Sequence, residues 1–534
     1  MRVLMVLPAL TEAKSPFFRP IKYSLFPPLG LASLASHLDA DVDEIQIVDE
    51  HVMRELALDG PPSPRPDLVV IQSYITNAKR SYRIADHYRA HGCRVAIGGL
   101  HATSLPEEAG PHADHLFLGP GDATFPLFLE DLRRGQAKPV YNSRDAKRTL
   151  VGLPPVRRDL IDRKRYLVPN SIVVTRGCPH HCTFCYKDAF FAGGKSSYTQ
   201  PVDDALAEID RLPGRHLYFL DDHLLGHPRF ARALFDGMRG MGRVFQGAAT
   251  VDSILRGDLI EHAVEAGLRS IFIGFETLSE EALTGSNKRH NIGRDYAQAI
   301  KRLDHLGVMI NGSFVFGLDG DGPDVFDRTV DWAMDNGIAT ATFHIATPYP
   351  DTAFYEELES QGRIKTTDWD LYDTRHAVFD HPTLSAEQLE TGYRKAYRDF
   401  YRFRNIYRAS TNHADTAQSL KHFAYAAGWK KCEPIWNLLI RSKQVATARP
   451  VLEHGLNFAR KRLGRLMQKN EPNISSLIED NPIPIEIVQP TIEGDLQNKL
   501  TDQGDRHSCL SISHRPNPDD DSTTPKGRQE CLSP

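Results

Sequence analysis

Twice along this chain, short apolar runs of strand length alternate with segments of helical period, and this constrains the fold more than any other feature. In the first 135 residues the runs are RVLMVLPAL, EIQIVDE, DLVVIQSY, CRVAIGGLHAT and HLFLGPG. Near-continuous apolar strands are buried on both faces, as in a parallel sheet covered by helices. Between them, PPLGLASLASHL offers a proline start and an apolar face at Leu31, Leu34, Ala35 and Leu38. Residues 78–91 predict another helix. Parallel strands need right-handed crossovers, so the expected fold is α/β, an open, doubly wound sheet. Ligands of such sheets lie beyond the carboxyl ends of the strands. Those ends carry Pro8, Asp49, Ser73, Gly98, Gly99, His101, Gly119 and Gly121.

The second series begins at NSIVVTRG and ends near residue 346. Its strand candidates are SIVVTRG, HLYFLDD, VFQGAAT, SIFIGFE, MINGSFVFGL and ATFHIAT, separated by helices such as PVDDALAEIDRL and RFARALFDGMRG. Six strands with intervening helices predict a partial (β/α)6 barrel, with chemistry at the carboxyl ends of its strands. The domain limits read as 1–135 for the first sheet, 136–166 for a polar, basic linker and 167–350 for the barrel. Residues 351–469 form a helical C-terminal region with aromatic and basic residues together. A packed domain with a solvated basic face is the plainer reading, and peripheral contact with a membrane is the other. Residues 470–534 are rich in Pro, Asp, Ser, Thr and Asn, and read as a disordered tail.

A length of 534 residues implies several domains. A net charge of -5 carries no basic nucleic-acid footprint, so nucleic acid is not an expected partner. The opening MRVLMVLPAL is too short to span a bilayer and has no cleavage signal, and no later run approaches about 18 apolar residues. A cytoplasmic location is expected.

Of seven cysteines, Cys93, Cys432, Cys509 and Cys531 are scattered, while three fall within eight residues as Cys178-x3-Cys182-x2-Cys185. A secreted disulfide framework would not be spaced this way. Soft thiolates suit iron–sulfur clusters, and three of them leave one iron without a protein ligand. A four-thiolate zinc site lacks its fourth cysteine, and His180 and His181 lie inside the ligand loop rather than at the usual spacing. A thioredoxin-type pair does not explain the third thiol.

The segment GCPHHCTFCY resembles the radical S-adenosylmethionine (SAM) superfamily, whose signature CxxxCxΦC it matches, with Phe184 at the aromatic position and Tyr186 after it. The resemblance covers nearly all of residues 167–360, including LYFLDDHLLGHPR with its acid pair Asp221 and Asp222, IFIGFET with Glu276, FVFGLDGDGPD and TPYPDTAFYEEL. It implies that the three cysteines hold a [4Fe–4S] cluster and that Glu276 helps orient SAM. On the residues alone, Asp221 and Asp222 could equally cap a helix. Thr250 and Asn311 could contact SAM or serve packing and turns, and Gly274 could admit the cofactor or merely small-residue packing.

The whole layout resembles the cobalamin-binding class of the superfamily, in which a flavodoxin-like domain precedes the barrel. PPLGLASLASHL and VAIGGLHATSLPEE, with Gly98, Gly99, His101 and Thr103, carry that likeness. Where members usually show GEGE this chain has GPGD, with Pro120 and Asp122. Asp49-Glu50-His51 imitates the cobalt-ligand pattern DxHxxG of methionine synthase but has Arg54 in place of the glycine, so His51 reads as a surface or loop residue. The class implies [4Fe–4S], SAM and cobalamin as cofactors, and a flavodoxin- or ferredoxin-type electron donor. It resembles class B methyltransferases, which methylate unactivated carbons of small natural products or lipids. BchE-like cyclases and hopanoid-modifying members share the layout, and a cobalamin-binding sensor is the non-enzymatic alternative.

Overall fold

The computed structural model describes residues 1–10, 26–194, 196–413 and 415–430. The helical expectation for 431–469 and the tail at 470–534 lie outside the described residues. The first series forms one sheet from β1 (Arg2–Leu7), β2 (Glu44–Asp49), β3 (Leu68–Gln72), β4 (Arg94–Gly98), β5 (His115–Leu118) and β6 (Val140–Asn142). Its order is β2-β1-β3-β4-β5-β6, and every pairing is parallel. This is the doubly wound order whose strand direction of travel reverses between β1 and β3, opening a crevice beyond their carboxyl ends. Side-chain alternation sends Val3 and Met5 to one core, with Leu31, Ala35 and Phe128, and Leu4 and Val6 to the other, with Val69 and Ile84.

The sixth strand lies inside the stretch expected to be a linker. Further along that stretch, Ile161 and Tyr166 are buried in the first core. Their apolar side chains have more to gain from the sheet than from solvent. Beyond β2, the Arg80 guanidinium grips Glu50 through Nη2–Oε1 at 2.7 Å and Nε–Oε2 at 3.1 Å. Glu50 also accepts hydrogen bonds from the Ala9 and Leu56 amides, at 3.1 and 2.8 Å. This buried pair ties the loops after β1 and β2 together.

The second series forms a six-stranded parallel sheet in the order β14-β13-β12-β11-β10-β7. Its strands are β7 (Ser171–Ile172), β10 (His216–Phe219), β11 (Val244–Ala249), β12 (Leu268–Glu276), β13 (Met309–Phe316) and β14 (Thr340–Ile345). The expected single strand SIVVTRG is two. After Ile172 the chain leaves the barrel, and β8 (Thr175–Gly177) pairs antiparallel with β9 (Ser197–Thr199). Asp221 causes the departure: its Oδ1 accepts from the Val174 amide at 3.1 Å, from the Thr175 amide at 2.5 Å and from Thr175 Oγ1 at 2.6 Å. Amides that would continue the ladder are taken by a carboxylate.

After the barrel, the expected helical region includes two successive helices, Ala386–Phe400 and Phe403–Ser410. At the break, Tyr401 hydroxyl reaches β14, donating to Ala341 O at 2.8 Å and accepting from its amide at 2.9 Å. Among the described residues, no helix is long and apolar enough to cross a membrane.

Candidate functional site

The three cysteines sit on the loop that follows β8, all free of disulfides. The loop is braced by three hydrogen bonds. Thr183 amide donates to Ser286 O at 3.1 Å, Asn287 Nδ2 donates to His181 O at 2.6 Å, and Phe354 amide donates to Thr183 O at 3.1 Å. Gly177, with φ +68°, turns the chain into it. Burial raises all three thiols, Cys182 to about 11 and Cys185 to about 12. Two buried ammonium groups, Lys187 and Lys288, oppose that rise at Cys178 and Cys182. Desolvated sulfurs beside fixed cations fit a ligand that supplies iron and carries net negative charge once thiolate-bound. Among the described residues no group of His, Cys, Asp and Glu could hold a single metal ion. The corners of a cubane, which take one thiolate each, spread their ligands wider than one ion does.

Around the loop, the expected residues fall into distinct roles. Asp222 accepts from the Tyr186 hydroxyl at 2.9 Å, and burial raises its carboxyl. Burial also pushes Asp221 up to about 7, against the hydrogen bonds from Thr175. Neither acid caps the next helix, whose N-cap is His227. Glu276 has φ +65° at an irregularity in the β12–β13 pairing, and its carboxylate is paired with Lys288. A Cβ on Gly274 would collide with that pair, so the glycine makes room for Glu276 and Lys288. Thr250 Oγ1 donates to Asp252 at 2.5 Å and lies 3.3 Å from His223 Nε2. Asn311 Nδ2 donates to Ser270 Oγ at 2.7 Å, and its Oδ1 accepts from Thr340.

Sequence reading missed a histidine stack. His180 lies over His290 with ring centroids 3.7 Å apart, and His223 follows at 5.6 Å. Burial lowers His223 and His290 to about 3, which keeps the stack neutral beside the loop. No local signal links residues so far apart in the chain.

In the first domain the glycine turns form one connected wall. Gly99 has φ +109°, and a Cβ there would stand 2.5 Å from Ser73 O, so only glycine fits. Ser73 amide donates to Gly98 O at 2.8 Å, and His101 amide donates to Ser73 O at 3.2 Å. Thr103 Oγ1 donates to Gly99 O at 2.8 Å and accepts from the Gly119 amide at 2.9 Å, joining two strand ends. His101 Nε2 lies 2.8 Å from Tyr82 Oη and 3.0 Å from Glu108 Oε1, while its Nδ1 is buried without a hydrogen-bond partner. Glu108 also accepts from Trp369 Nε1 at 2.8 Å. His51 is a loop residue but not a surface one, with Nδ1 2.9 Å from Asp49 Oδ1 and its side chain 9% exposed.

The two sheets meet at a continuous cavity of about 2490 Å³. Gly98, Gly99, His101, Gly119 and Gly121 border it from the first domain, and Gly177, Tyr186, Asp221 and Asp222 from the second. The cysteines, Phe184, Thr250, Gly274, Glu276, Ser73 and Thr103 are not among the residues that border it. At the joint, Arg176 Nη2 donates to Asp122 Oδ1 at 3.2 Å, which links the strand before Cys178 to the GPGD loop. The substitution of GPGD for GEGE therefore keeps an acid where Arg176 meets it.

Residues 172–333 match the radical SAM superfamily, and residues 23–129 match the B12 binding domain. A bacteriochlorophyllide d C-12(1)-methyltransferase from Chlorobaculum tepidum is 31% identical over 63% of this chain and 75% of its own length. The chain is a cobalamin-binding radical SAM enzyme.

A second relative from the same organism, a bacteriochlorophyllide d C-8(2)-methyltransferase, is 28% identical over 68% of this chain and 83% of its own length. The fold resembles that of the radical SAM methyltransferase TsrM from Kitasatospora setae, with a TM-score of 0.58 at 13% identity, covering 84% of this chain and 99% of that one. The cofactors of this radical SAM enzyme are a [4Fe–4S] cluster, SAM and cobalamin. The soft donor set at Cys178, Cys182 and Cys185 suits the cluster, and the wide cleft beyond β1 and β3, floored by glycine turns, suits the corrinoid.

Proposed function

We propose that this enzyme methylates an unactivated carbon of a bulky, largely apolar small molecule. The observation that carries the reading is the single cavity bordered both by the residues flanking the cysteine loop, Gly177 and Tyr186, and by the glycine turns of the cobalamin domain. A carbon held there faces both cofactor sites at once. When bound, the cluster supplies the electron that cleaves SAM, and cobalamin supplies the methyl group.

The chain's own residues hold and enclose. Cys178, Cys182 and Cys185 ligate the cluster, and Glu276, fixed by Lys288, orients SAM. Asp222, held by Tyr186, presents a carboxyl group to the cavity beside the loop. Gly98, Gly99, Gly119 and Gly121 let main chain approach the corrinoid closely. Walls such as Phe190, Phe219 and Phe272 exclude water from the reacting carbon. A flavodoxin- or ferredoxin-type protein delivers the electron. The relatives that act on bacteriochlorophyllide d support a substrate with a large rigid body.

The test is anaerobic reconstitution of the full chain with iron, sulfide and cobalamin, followed by incubation with methyl-deuterated SAM and a small-molecule extract. A product three mass units above its unlabelled-methyl counterpart, formed together with 5′-deoxyadenosine, is expected. Formation of 5′-deoxyadenosine with only unmethylated new products would replace methyl transfer by cyclisation or another radical rearrangement.

A further inference from the structure

Burying an ammonium group is costly unless a partner inside the protein answers its charge. Two lysines beside the cysteine loop meet this demand differently. Lys288 is buried and paired with Glu276. Lys187 is buried more deeply, at 1% exposed, and stands two residues after Cys185. Its Nζ lies 2.5 Å from Asp188 Oδ1 yet has no hydrogen-bond partner among the described residues. Asp188 is 43% exposed and also meets His181 Nδ1 at 2.9 Å. Water weakens the field of an exposed carboxylate, whereas a buried cation is screened much less.

That field falls on the sulfurs. The Lys187 ammonium acts on Cys178 and Cys182, and the main-chain amide of the same residue acts on Cys185. Lys288, Glu276 and Asp222 are the other charged side chains that act on them. Lys288 and Glu276 answer one another. Asp222 accepts from the Tyr186 hydroxyl, burial raises its carboxyl, and it feels Arg176 as well as Lys187. Lys187 is thus the interior cation whose nearest counter-charge stands at the surface. Three thiolates give the cluster a net negative charge, and reduction adds another. A fixed cation therefore stabilises the reduced form more than the oxidised one, and net charge is among the levers that set such potentials.

We propose that Lys187, buried behind the cysteine loop, raises the reduction potential of the cluster into reach of a flavodoxin- or ferredoxin-type carrier. The proposal rests on Cys178, Cys182 and Cys185 holding the cluster, and it adds the residue that tunes electron entry. One electron leaves the reduced carrier and enters the cluster; Lys187 exchanges no proton and forms no bond. Lys187 does not border the cavity, so its part is separate from that of the side chains that face the substrate. Its burial is then accounted for by a negative charge that the loaded protein carries and the polypeptide alone does not.

The experiment is a redox titration, followed by electron paramagnetic resonance, of the anaerobically reconstituted full-length enzyme. Wild type is compared with K187M, K187Q, K187R and D188N, with iron and sulfide measured in each. At a poise fixed at the wild-type midpoint, K187M and K187Q are expected to lower the ratio of reduced to oxidised cluster about tenfold, or about 59 mV for one electron. K187R keeps the charge and is expected to stay close to wild type. D188N removes the surface counter-charge and is expected to raise the ratio. Formation of 5′-deoxyadenosine by K187M is expected to fall with reduced flavodoxin and to recover with titanium(III) citrate, a stronger reductant; a variant that had lost SAM binding would not recover. The proposal fails if the neutral variants hold a full cluster at the wild-type potential. It fails equally if K187R shifts as far as K187M, because shape and not charge would then be the cause. Should the neutral variants hold no iron, D188N decides, and an unchanged or lowered ratio overturns the proposal. An iron-free wild type would instead remove the cysteine assignment, and methyl transfer is read separately from all of these outcomes.

Discussion

The two parallel sheets of this chain solve opposite problems with the same element. In the first, both faces are closed: Val3, Met5, Val69 and Ala96 are at most 1% exposed, and helices cover each side. In the second, the outer face packs against helices through residues such as Phe245, Ile271 and Ala341, whereas the inner face presents Gln246, Asn311 and Thr342 to a cavity. The first buries a charge with its partner, as Glu50 is held by Arg80. The difference shows that a strand's inward residues, not its hydrogen-bond ladder, decide whether a sheet is a floor or a vessel.

The strongest way to separate the two regions is to remove the three cysteines proposed as cluster ligands. The variant C178A/C182A/C185A is expected to lose iron and all SAM cleavage while keeping cobalamin, measured by metal analysis, 5′-deoxyadenosine yield and absorbance. Loss of cobalamin as well would mean the two sites are not independent.

Breaking the buried pair comes next. Glu50→Gln leaves the Arg80 cation without its counter-charge and is expected to destabilise the first domain by about 3–5 kcal/mol, read from denaturant melts. A third comparison fills space on purpose. Ala96→Leu in the closed sheet is expected to cost about 1–3 kcal/mol. Ala248→Leu, pointing into the hollow barrel, is expected to change stability by about 0.5 kcal/mol or less. Equal losses at the two sites would contradict the contrast.

The smallest effect is one of pH. Burial raises the Glu108 carboxyl, but hydrogen bonds from His101, Trp369 and Tyr82 outweigh it and bring the group to about 2. A depressed folded value means that its contribution is present above the unfolded value, near 4.5, and is lost as pH falls towards 2. Glu108→Gln is expected to flatten this part of the acid stability curve, checked by thermal melts between those limits.

Much of this was legible in the chain. The strands announced themselves through near-continuous apolar runs, and the thiol spacing pointed to a cluster without help from distant residues. What escaped depends on side chains meeting from afar. Asp221 pulls Thr175 out of the barrel ladder across 46 positions, so SIVVTRG could not show that it divides. Gly274 reads as room for a cofactor or as small-residue packing until Lys288, 14 residues on, is seen to fill the space with Glu276. The break at Tyr401 has neither glycine nor proline to mark it, because the cause is a hydroxyl gripping β14. The hollow interior was visible only once alternation could be assigned to faces.

The contact between Arg176 and Asp122 has a consequence for turnover. A swing of the first domain away from the barrel would have to break it together with one anchor of the connecting segment, the bond from Arg158 to Glu208 or that from Tyr166 to Asp49. The connecting segment is thus a splice rather than a pivot. An enzyme spliced in this way holds its cobalamin domain and its barrel at one spacing, to which any visitor must fit.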